Sequence, residues 1–165
     1  MKVYITGASG TGKTSIAREL AARGIPTLDM DTICHRAHRE TGEEVGWEPG
    51  KPEEWYEAHG WVCNVGTLEE FLAAHETAVA VGLSSDQDDY LKLFDKVFVL
   101  YARPEVIIER LNARKDNEYG KHPREQERLL KWHRMFEQEM ETKGAIPINT
   151  ERPLSETVED ILTRF

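Results

Sequence analysis

The sequence is poor in cysteine and in long apolar segments, and each absence excludes a class of protein. Only two cysteines occur among 165 residues, Cys34 and Cys63, so a disulfide framework is excluded and two reduced thiols are expected. No apolar run approaches the ~18 residues that a membrane-spanning helix needs. The first residues have no signal-peptide h-region and run straight into a glycine-rich motif. We therefore expect a cytoplasmic protein with no membrane partner.

A general excess of basic residues is also absent. The formal net charge is −9, which argues against nucleic acid as a partner, because the phosphate backbone rewards a basic surface. Residues 103–134 are the exception, with nine Lys/Arg against six Asp/Glu, so this segment is +3 and the remainder −12. A locally basic segment in an acidic chain suits a small anionic ligand, although a solvated helix with interspersed charges would have the same composition.

Short apolar runs alternate with amphipathic stretches along the chain, and neither a repeat nor a linker is visible. Strands are predicted at 3–6, 26–29, 78–83, 97–101 and 145–149, with helices between them. Strands separated by helices form βαβ units, which give a parallel sheet covered by helices on both faces. The sequence therefore predicts a three-layer α/β fold, in one domain over residues 1–165.

The residues that follow the first strand carry the strongest signal, because GASGTGKT fits the pattern G-x-x-x-x-G-K-[ST] in full. The glycines let the loop wrap so that backbone N–H groups and the N-terminus of the next helix point at phosphate oxygens. Lys13 is expected to reach the β- and γ-phosphates, and the Thr14 hydroxyl to be a Mg²⁺ ligand. The predicted nucleotide-binding residues of this P-loop are Gly7, Ala8, Ser9, Gly10, Thr11, Gly12, Lys13 and Thr14.

Two carboxylates, Asp29 and Asp31, close the second predicted strand. Residues at i and i+2 share one side of an extended chain, so both side chains can face the phosphate site. One would orient Mg²⁺ through water, and the other would accept a proton from an acceptor hydroxyl. The spacing alone leaves open which of the two takes which role. The alternative is a strand-end Asp29 followed by Asp31 as a helix N-cap.

Basic residues cluster around a break in the helical pattern at about 115–123, which we interpret as a lid. Arginines delivered by a mobile segment can cover phosphates and offset charge on the transferring group. At least one of Arg114, Lys121 and Arg124 is expected to touch phosphate. Arg110 and Arg114, at i and i+4, present two guanidinium groups on one helix face, and both are predicted to bind the nucleotide. The alternative pairs Arg110 with an acidic neighbour, such as Glu109 or Glu118, on a solvated helix face.

The segment after the second strand, about 32–75, is where an acceptor-binding insert would lie. It is dense in aromatic residues, which could stack on a ring-shaped acceptor or simply pack. Helices are predicted over 31–40 and 52–63, and another is predicted to open at Thr67 in a capping box with Glu70. The aromatic positions are Trp47, Trp55, Tyr56, His59 and Trp61.

These motifs together resemble shikimate kinase and the wider nucleoside-monophosphate-kinase-like group. The matching parts are the P-loop, Asp29-x-Asp31, Arg103-Pro104-Glu105-Val106 leading to Glu109-Arg110-Leu111, and the closing segment 149–153. The resemblance implies a five-stranded parallel sheet in the order 2-3-1-4-5, with the lid between the helix at 104–114 and the long helix after it.

The same resemblance implies several residue roles. By analogy with this group, Asp29 would lie on the metal side and Asp31 on the acceptor side. Arg114 would stack near the adenine, and Lys121 would stand where a lid arginine is common. Arg152 and Pro153 would lie beside the base. The chain departs from shikimate kinases at Gly82-Leu83-Ser84-Ser85-Asp86-Gln87, where those enzymes carry a glycine cluster, and in the lid, which lacks their Arg-Pro pair.

The function expected from the sequence is transfer of the γ-phosphoryl group of Mg-ATP to a hydroxyl or phosphate of a small molecule. Lys13, Asp29, Asp31, Arg114 and Lys121 are the predicted catalytic residues, and Thr14 and Asp29 would hold Mg²⁺. Two alternatives stay open at this point. One is a nucleotide-dependent switch or slow regulatory ATPase, and the other is a nucleoside-monophosphate kinase.

Overall fold

The centre of the structure is strand β1 (Lys2–Gly7), in which every residue after Lys2 is buried. The computed structural model describes residues 1–115 and 117–165. Within these residues β1 pairs in parallel with β5 (Ala78–Val81) on one side and β6 (Lys96–Tyr101) on the other. Strands β2 (Thr27–Asp29) and β7 (Ile146–Asn149) complete the sheet.

The sheet order is β2-β5-β1-β6-β7. Counting only the strands of this sheet in chain order gives 2-3-1-4-5, so the predicted parallel sheet and its order are confirmed. The carboxyl ends of all five strands lie at one edge, where open α/β sheets bind their ligands. This edge carries the P-loop after β1 and the two aspartates at the end of β2.

Helices cover both faces of the sheet, as the sequence predicts. On one face α1 (Lys13–Ala22) and α6 (Leu154–Leu162) bury Ile16 and Val158 against Val3 and Ile5. On the opposite face α3 (Val65–Ala74) and α5 (Pro123–Thr142) cover the side chains of alternate residues, such as Tyr4 and Val99. Helix α4 (Pro104–Ala113) packs beside the P-loop through Ile107 and Leu111. Among the described helices, none is long and apolar enough to cross a membrane.

The insert differs from the sequence prediction, because the helices expected over 31–40 and 52–63 are mostly absent. A single 3₁₀ turn, Met30–Thr32, is followed by strand β3 (Cys34–His38), and helix α2 (Glu53–Ala58) ends before strand β4 (His59–Cys63). β3 and β4 form an antiparallel hairpin outside the main sheet. Non-local pairing between the strands outweighs the local helical pattern, since backbone ladder bonds and packing override weak propensity.

The polar segment after β5 holds the hairpin against the sheet. The Trp61 backbone N–H donates to the Ser85 hydroxyl at 2.9 Å, and the Ser85 N–H donates to the Trp61 carbonyl at 2.6 Å. The Cys63 N–H donates to the Asp86 carboxylate at 3.1 Å. Ser85 and Asp86 therefore occupy the outer hydrogen-bonding edge of β4, which explains why polar residues follow the third strand of the sheet.

The next helix also begins earlier than predicted. Helix α3 starts at Val65, and its N-cap is Asn64, whose side chain accepts from the Thr67 N–H at 3.1 Å. Thr67 is therefore the third helical residue and not the cap. An asparagine is as good an N-cap as threonine, and the earlier start adds three residues to the helix, nearly one turn.

Candidate functional site

The P-loop between β1 and α1 has the backbone conformation that its glycines permit. Gly10 and Gly12 have φ of +87° and +99°, in the left-handed region that disfavours other residues. A Cβ at Gly10 would also lie 3.0 Å from Ile107. The buried Thr11 hydroxyl donates to the Ala8 carbonyl at 2.7 Å, which closes the loop on itself. The first N–H groups of α1 lack partners within the helix and face the loop's concave side.

The ammonium group of Lys13 lies inside this loop. Its Nζ donates to the Gly7 carbonyl at 2.7 Å and to the Ala8 carbonyl at 3.0 Å. Burial lowers the pKa of Lys13 to about 8, and the charge of Arg114 lowers it as well, while Asp31 and Asp29 oppose the shift. A half-buried cation whose hydrogen bonds within the described residues go to two carbonyls is in a suitable position to exchange them for phosphate oxygens.

Nucleotide affinity is therefore expected to fall as the pH rises above about 8, the pKa of Lys13 in the free protein. Phosphate oxygens would raise this pKa, so the complex holds more protons than the free protein above pH 8. Because binding is then coupled to the uptake of one proton, each unit of pH above this value weakens nucleotide binding by up to ~10-fold. Titrating an ATP analogue between pH 7 and 9.5 tests this, with Lys13→Ala as the control that should show no such slope. Equal wild-type affinity at both limits would contradict it.

A cavity of about 570 Å³ opens in front of the P-loop and contains most of the predicted nucleotide site. Its walls come from the loop, the end of β2, α4 and the segment after β7. The predicted site residues that line it are Ser9, Gly10, Thr11, Gly12, Lys13, Thr14, Asp29, Asp31, Arg110, Arg114 and Arg152. Sequence reasoning missed the other residues that line it, namely Ser15, Ile16, Arg18, Asn117, Thr150, Leu154 and Thr157. No short motif marks these positions, because the fold brings them together from four segments.

Asp29 and Asp31 both line the nucleotide cavity, and they differ in their contacts. Asp29 is the N-cap of the 3₁₀ turn, since its Oδ1 accepts from the Asp31 N–H at 3.1 Å. The alternative of Asp31 as the capping residue is therefore wrong. Burial raises the pKa of Asp29, and the charge of Asp31 adds to this shift. Asp31 alone of the pair also lines a second cavity, described below.

Arg110 connects two walls of the nucleotide cavity by hydrogen bonds. Its guanidinium donates to the Thr150 carbonyl at 2.6 Å, to the Thr150 hydroxyl at 2.9 Å and to the Gly10 carbonyl at 3.5 Å. It thereby ties the P-loop to the segment after β7. The alternative pairing of Arg110 with Glu109 or Glu118 is not found among the described residues.

The lid residues are placed unequally. Arg114 lines the nucleotide cavity and donates to the backbone carbonyls of Asn117 and Tyr119. Lys121 forms an ion pair with Glu118 at 2.6 Å. It is not among the described residues that line the nucleotide cavity or the second cavity described below. Gly7, Ala8 and Pro153 are likewise outside the described lining, although the first two hold Lys13. The predicted lid also includes Asp116, which lies outside the described residues.

A buried carboxylate at the start of α5 connects the lid to the insert. Glu125 accepts from the Gly120 N–H at 2.8 Å, from the Gly50 N–H at 3.1 Å and from the Tyr56 hydroxyl at 3.0 Å. The same hydroxyl accepts from the Trp47 indole N–H at 2.9 Å. Sequence reasoning missed Glu125, because an acidic residue in the first turn of a helix is ordinary.

The second cavity, of about 630 Å³, lies between the hairpin and α5. It contains Ser9, Lys13 and Asp31, so it meets the nucleotide cavity at the P-loop. Further from the P-loop its walls carry three arginines and several aromatic rings, together with Asp88 and Glu139, both of which pair with Lys143. The residues that form this remote part include Arg36, Arg39, Trp47, His59, Trp61, Tyr119, Arg128 and Trp132.

Arg36 is the most unusual group in this second cavity. Its guanidinium carbon lies 5.6 Å from the ring centre of Trp61 and 5.8 Å from those of Trp55 and Tyr56. Its Nε is buried and has no hydrogen-bond partner within the described chain. Burial lowers the pKa of Arg36, and the charges of Arg128 and Arg39 add to that shift. An arginine nevertheless stays protonated in proteins, so this is a partly desolvated cation with an unused donor.

Comparison with known proteins agrees with this geometry. A family model described as an AAA domain matches residues 3–131, so the chain belongs to that family, and its P-loop implies nucleotide binding. Comparison with curated proteins gives no match.

Several solved structures share the fold. Shikimate kinase from Acinetobacter baumannii, solved with shikimate, is 21% identical with a TM-score of 0.64, over 99% of this chain and 91% of that one. Deoxyadenosine kinase from M. mycoides, solved with dATP, is 17% identical with a TM-score of 0.61, over 99% and 98%. A gluconokinase from Sinorhizobium meliloti 1021 is 17% identical with a TM-score of 0.52, over 98% and 89%. The chain therefore has the fold of small-molecule kinases.

Proposed function

We propose that the protein is a phosphotransferase that moves the γ-phosphoryl group of Mg-ATP to an anionic small molecule. The observation that carries this proposal is the meeting of two cavities at Lys13 and Asp31. One cavity has the P-loop and fits a nucleoside triphosphate. The other has none of the P-loop glycines, and its size of about 630 Å³ fits a small acceptor.

The side chains at the junction suit in-line phosphoryl transfer. Lys13 neutralises charge on the β- and γ-phosphates, and Asp31 accepts the proton of the acceptor hydroxyl, since Asp31 faces both cavities. Thr14 and Asp29 would hold Mg²⁺, because a hydroxyl and a carboxylate at the phosphate end are oxygen ligands that this ion prefers. Mg²⁺, when bound, would offset phosphate charge.

Arg114 is proposed to contact the nucleotide, because it lines that cavity. Lys121 would reach the phosphates only after leaving Glu118, so its proposed role requires the lid to move. Arg152 and Pro153 would lie beside the base. The contact of Arg152 with Asp160 and its 3.2 Å hydrogen bond to the Asn149 carbonyl support this proposal, because they hold the side chain beside the nucleotide cavity.

The chemistry of the second cavity defines the class of acceptor. Arg36, Arg39 and Arg128 place three guanidinium groups on its walls, and among the described ion pairs only Arg128–Glu53, at 3.1 Å, neutralises one of them. An oxyanion on the acceptor would pair with these guanidinium groups and offset their charge. The surrounding aromatic rings offer flat faces to the rest of the molecule.

The test is a panel of acceptors, assayed by stimulated ADP release. It contains hydroxy acids, sugar phosphates and nucleoside monophosphates, each with its neutral counterpart, such as the ester, the free sugar or the nucleoside. We expect an anionic member to stimulate turnover and its neutral counterpart to fail. Stimulation by the neutral members alone would contradict the anionic class, and stimulation by none would favour the regulatory ATPase.

Arg36→Gln is expected to raise the KM for that acceptor by about 10–100-fold, the value of one charged hydrogen bond. Nucleotide affinity should stay unchanged, because Arg36 does not line the nucleotide cavity. Arg134→Gln is the matched control, an exposed arginine on α5. Steady-state kinetics with both substrates distinguish the two effects. An unchanged KM in a folded Arg36→Gln variant would exclude the guanidinium from acceptor binding.

A further inference from the structure

The two cysteines, distant in sequence, lie opposite each other in the hairpin. The register of β3 and β4 pairs Cys34 with Cys63 and Arg36 with Trp61. The Asn64 N–H donates to the Ile33 carbonyl at 3.0 Å, so the neighbouring pair is hydrogen-bonded. The Cys34–Cys63 pair is therefore a non-hydrogen-bonded one, with Cα atoms about 4.5 Å apart. The Cys63 N–H points away from β3 and donates to the Asp86 carboxylate.

This position satisfies the geometric needs of a disulfide. A disulfide requires Cα atoms about 4.4–6.8 Å apart, and non-hydrogen-bonded pairs bring facing side chains closest. Because the two residues are directly opposite each other, their side chains project to the same side of the hairpin. No other cysteine exists in the chain, so no intramolecular partner competes with this pairing.

The two thiols are also chemically unequal. The interaction between the two thiols raises the pKa of Cys34, to which burial adds, and lowers the pKa of Cys63. Cys63 is buried, at 8% exposure, whereas Cys34 is half-buried and gives the pair its contact with solvent. A thiol whose pKa is lowered by a neighbouring thiol forms a thiolate more readily than an isolated buried cysteine.

We propose that Cys34 and Cys63 are a reversible dithiol–disulfide modification site, oxidised by low-molecular-weight disulfides. The pair loses one proton, and its thiolate attacks a sulfur of the external disulfide. This forms a mixed disulfide and releases one thiolate, which takes up a proton. The remaining protein thiol then deprotonates and attacks the cysteine sulfur of the mixed disulfide. This forms the Cys34–Cys63 bond and releases the second external thiolate, which takes up that proton. The protein loses two electrons and two protons, and the external disulfide becomes two thiols.

The site of this crosslink gives it a consequence for the acceptor cavity. It lies on the same face of the hairpin as Arg36 and Trp61, two residues along each strand. Cys34 is three residues after Asp31, and both cysteines pack against the core that contains Met30 and Leu68. The disulfide would therefore fix the base of the insert relative to Asp31. It would close a loop of residues 34–63, so oxidation should raise the melting temperature by roughly 5 °C or more.

The experiment uses the full chain, reduced and then equilibrated with mixtures of glutathione and glutathione disulfide. Free thiols are trapped with N-ethylmaleimide, and the intact mass and peptide map are measured. We expect monomers that lose both alkylatable thiols, carry a Cys34–Cys63 link, melt at a higher temperature and revert with dithiothreitol. Urea-unfolded protein is the reference state, and the native pair should require at least about tenfold less glutathione disulfide, because folding holds the sulfurs together.

Variants identify the intermediate. Cys34→Ser and Cys63→Ser should stop at a mixed disulfide with glutathione or stay as one alkylatable thiol. Full alkylation of both wild-type cysteines after equilibration would overturn the proposal. Glutathione adducts without the internal link, or disulfide-linked dimers, would overturn it equally. If either serine variant fails to fold, the comparison of native and unfolded wild type still decides the question.

Discussion

Lys13→Ala is expected to lower phosphoryl transfer by about 10²–10³-fold or more while leaving the fold intact. Lys13 supplies the one ammonium group that the structure places within the P-loop, in contact with the Gly7 and Ala8 carbonyls. Phosphoryl transfer depends mostly on positioning and charge stabilisation, so removing this charge should cost several kcal/mol at the transition state. The fold should persist, because Lys13 is not part of any of the four buried apolar clusters.

The measurement is single-turnover transfer at saturating nucleotide, with circular dichroism and a melting curve to establish folding. Lys131→Ala is the matched control, since Lys131 is exposed on α5 and does not line either cavity within the described chain. We expect the control to keep wild-type turnover. A folded Lys13→Ala protein with near-normal turnover would remove the P-loop from the chemistry.

Asp31→Asn is expected to cut acceptor-dependent transfer by about 10²-fold or more, the usual scale for a positioned base. Nucleotide affinity should change little, because the amide is nearly isosteric and the P-loop contacts are untouched. The reason for choosing Asp31 is its place at the junction of both cavities. Asparagine keeps the size and hydrogen-bonding capacity of the side chain and removes its ability to take a proton.

Asp29→Asn is the paired comparison for this experiment. Asp29 lines only the nucleotide cavity, so this change should raise the Mg²⁺ concentration needed for half-maximal transfer. The 3₁₀ turn should survive, because an asparagine Oδ1 can still accept from the Asp31 N–H, as Asp29 does at 3.1 Å. If both variants kept full transfer, neither carboxylate would be the base or the metal contact.

The sequence was sufficient to predict the sheet and its order, because buried parallel strands such as Val79 to Val81 are continuous apolar runs. It was also sufficient for the P-loop, whose chemistry depends on contiguous residues. The hairpin was not predictable from local pattern. Arg36 lies in a segment with helical spacing, and only the pairing of Cys34–His38 with His59–Cys63 places its guanidinium among three aromatic rings.

Groups that act through non-local contacts were missed for the same reason. Glu125 joins Gly50, Tyr56 and Gly120 in space, but its sequence neighbours are those of an ordinary helix start. Lys121 is the opposite case, a residue to which sequence reasoning assigned a role that its contacts do not show. Its position in the lid suggested a phosphate contact, whereas the structure pairs it with Glu118. Its contact with phosphate stays a prediction about the nucleotide-bound state.

The central claim, that two cavities meet so that a phosphoryl group passes from one to the other, is tested most directly by following that group. ATP labelled with ¹⁸O in its γ-phosphoryl group is incubated with the protein, Mg²⁺ and the acceptor panel, and the products are analysed by mass spectrometry. We expect one anionic acceptor to gain the labelled phosphoryl group in a 1:1 ratio with ADP, and Asp31→Asn to suppress that product. Label found only in inorganic phosphate, at a rate that no acceptor changes, would contradict the account.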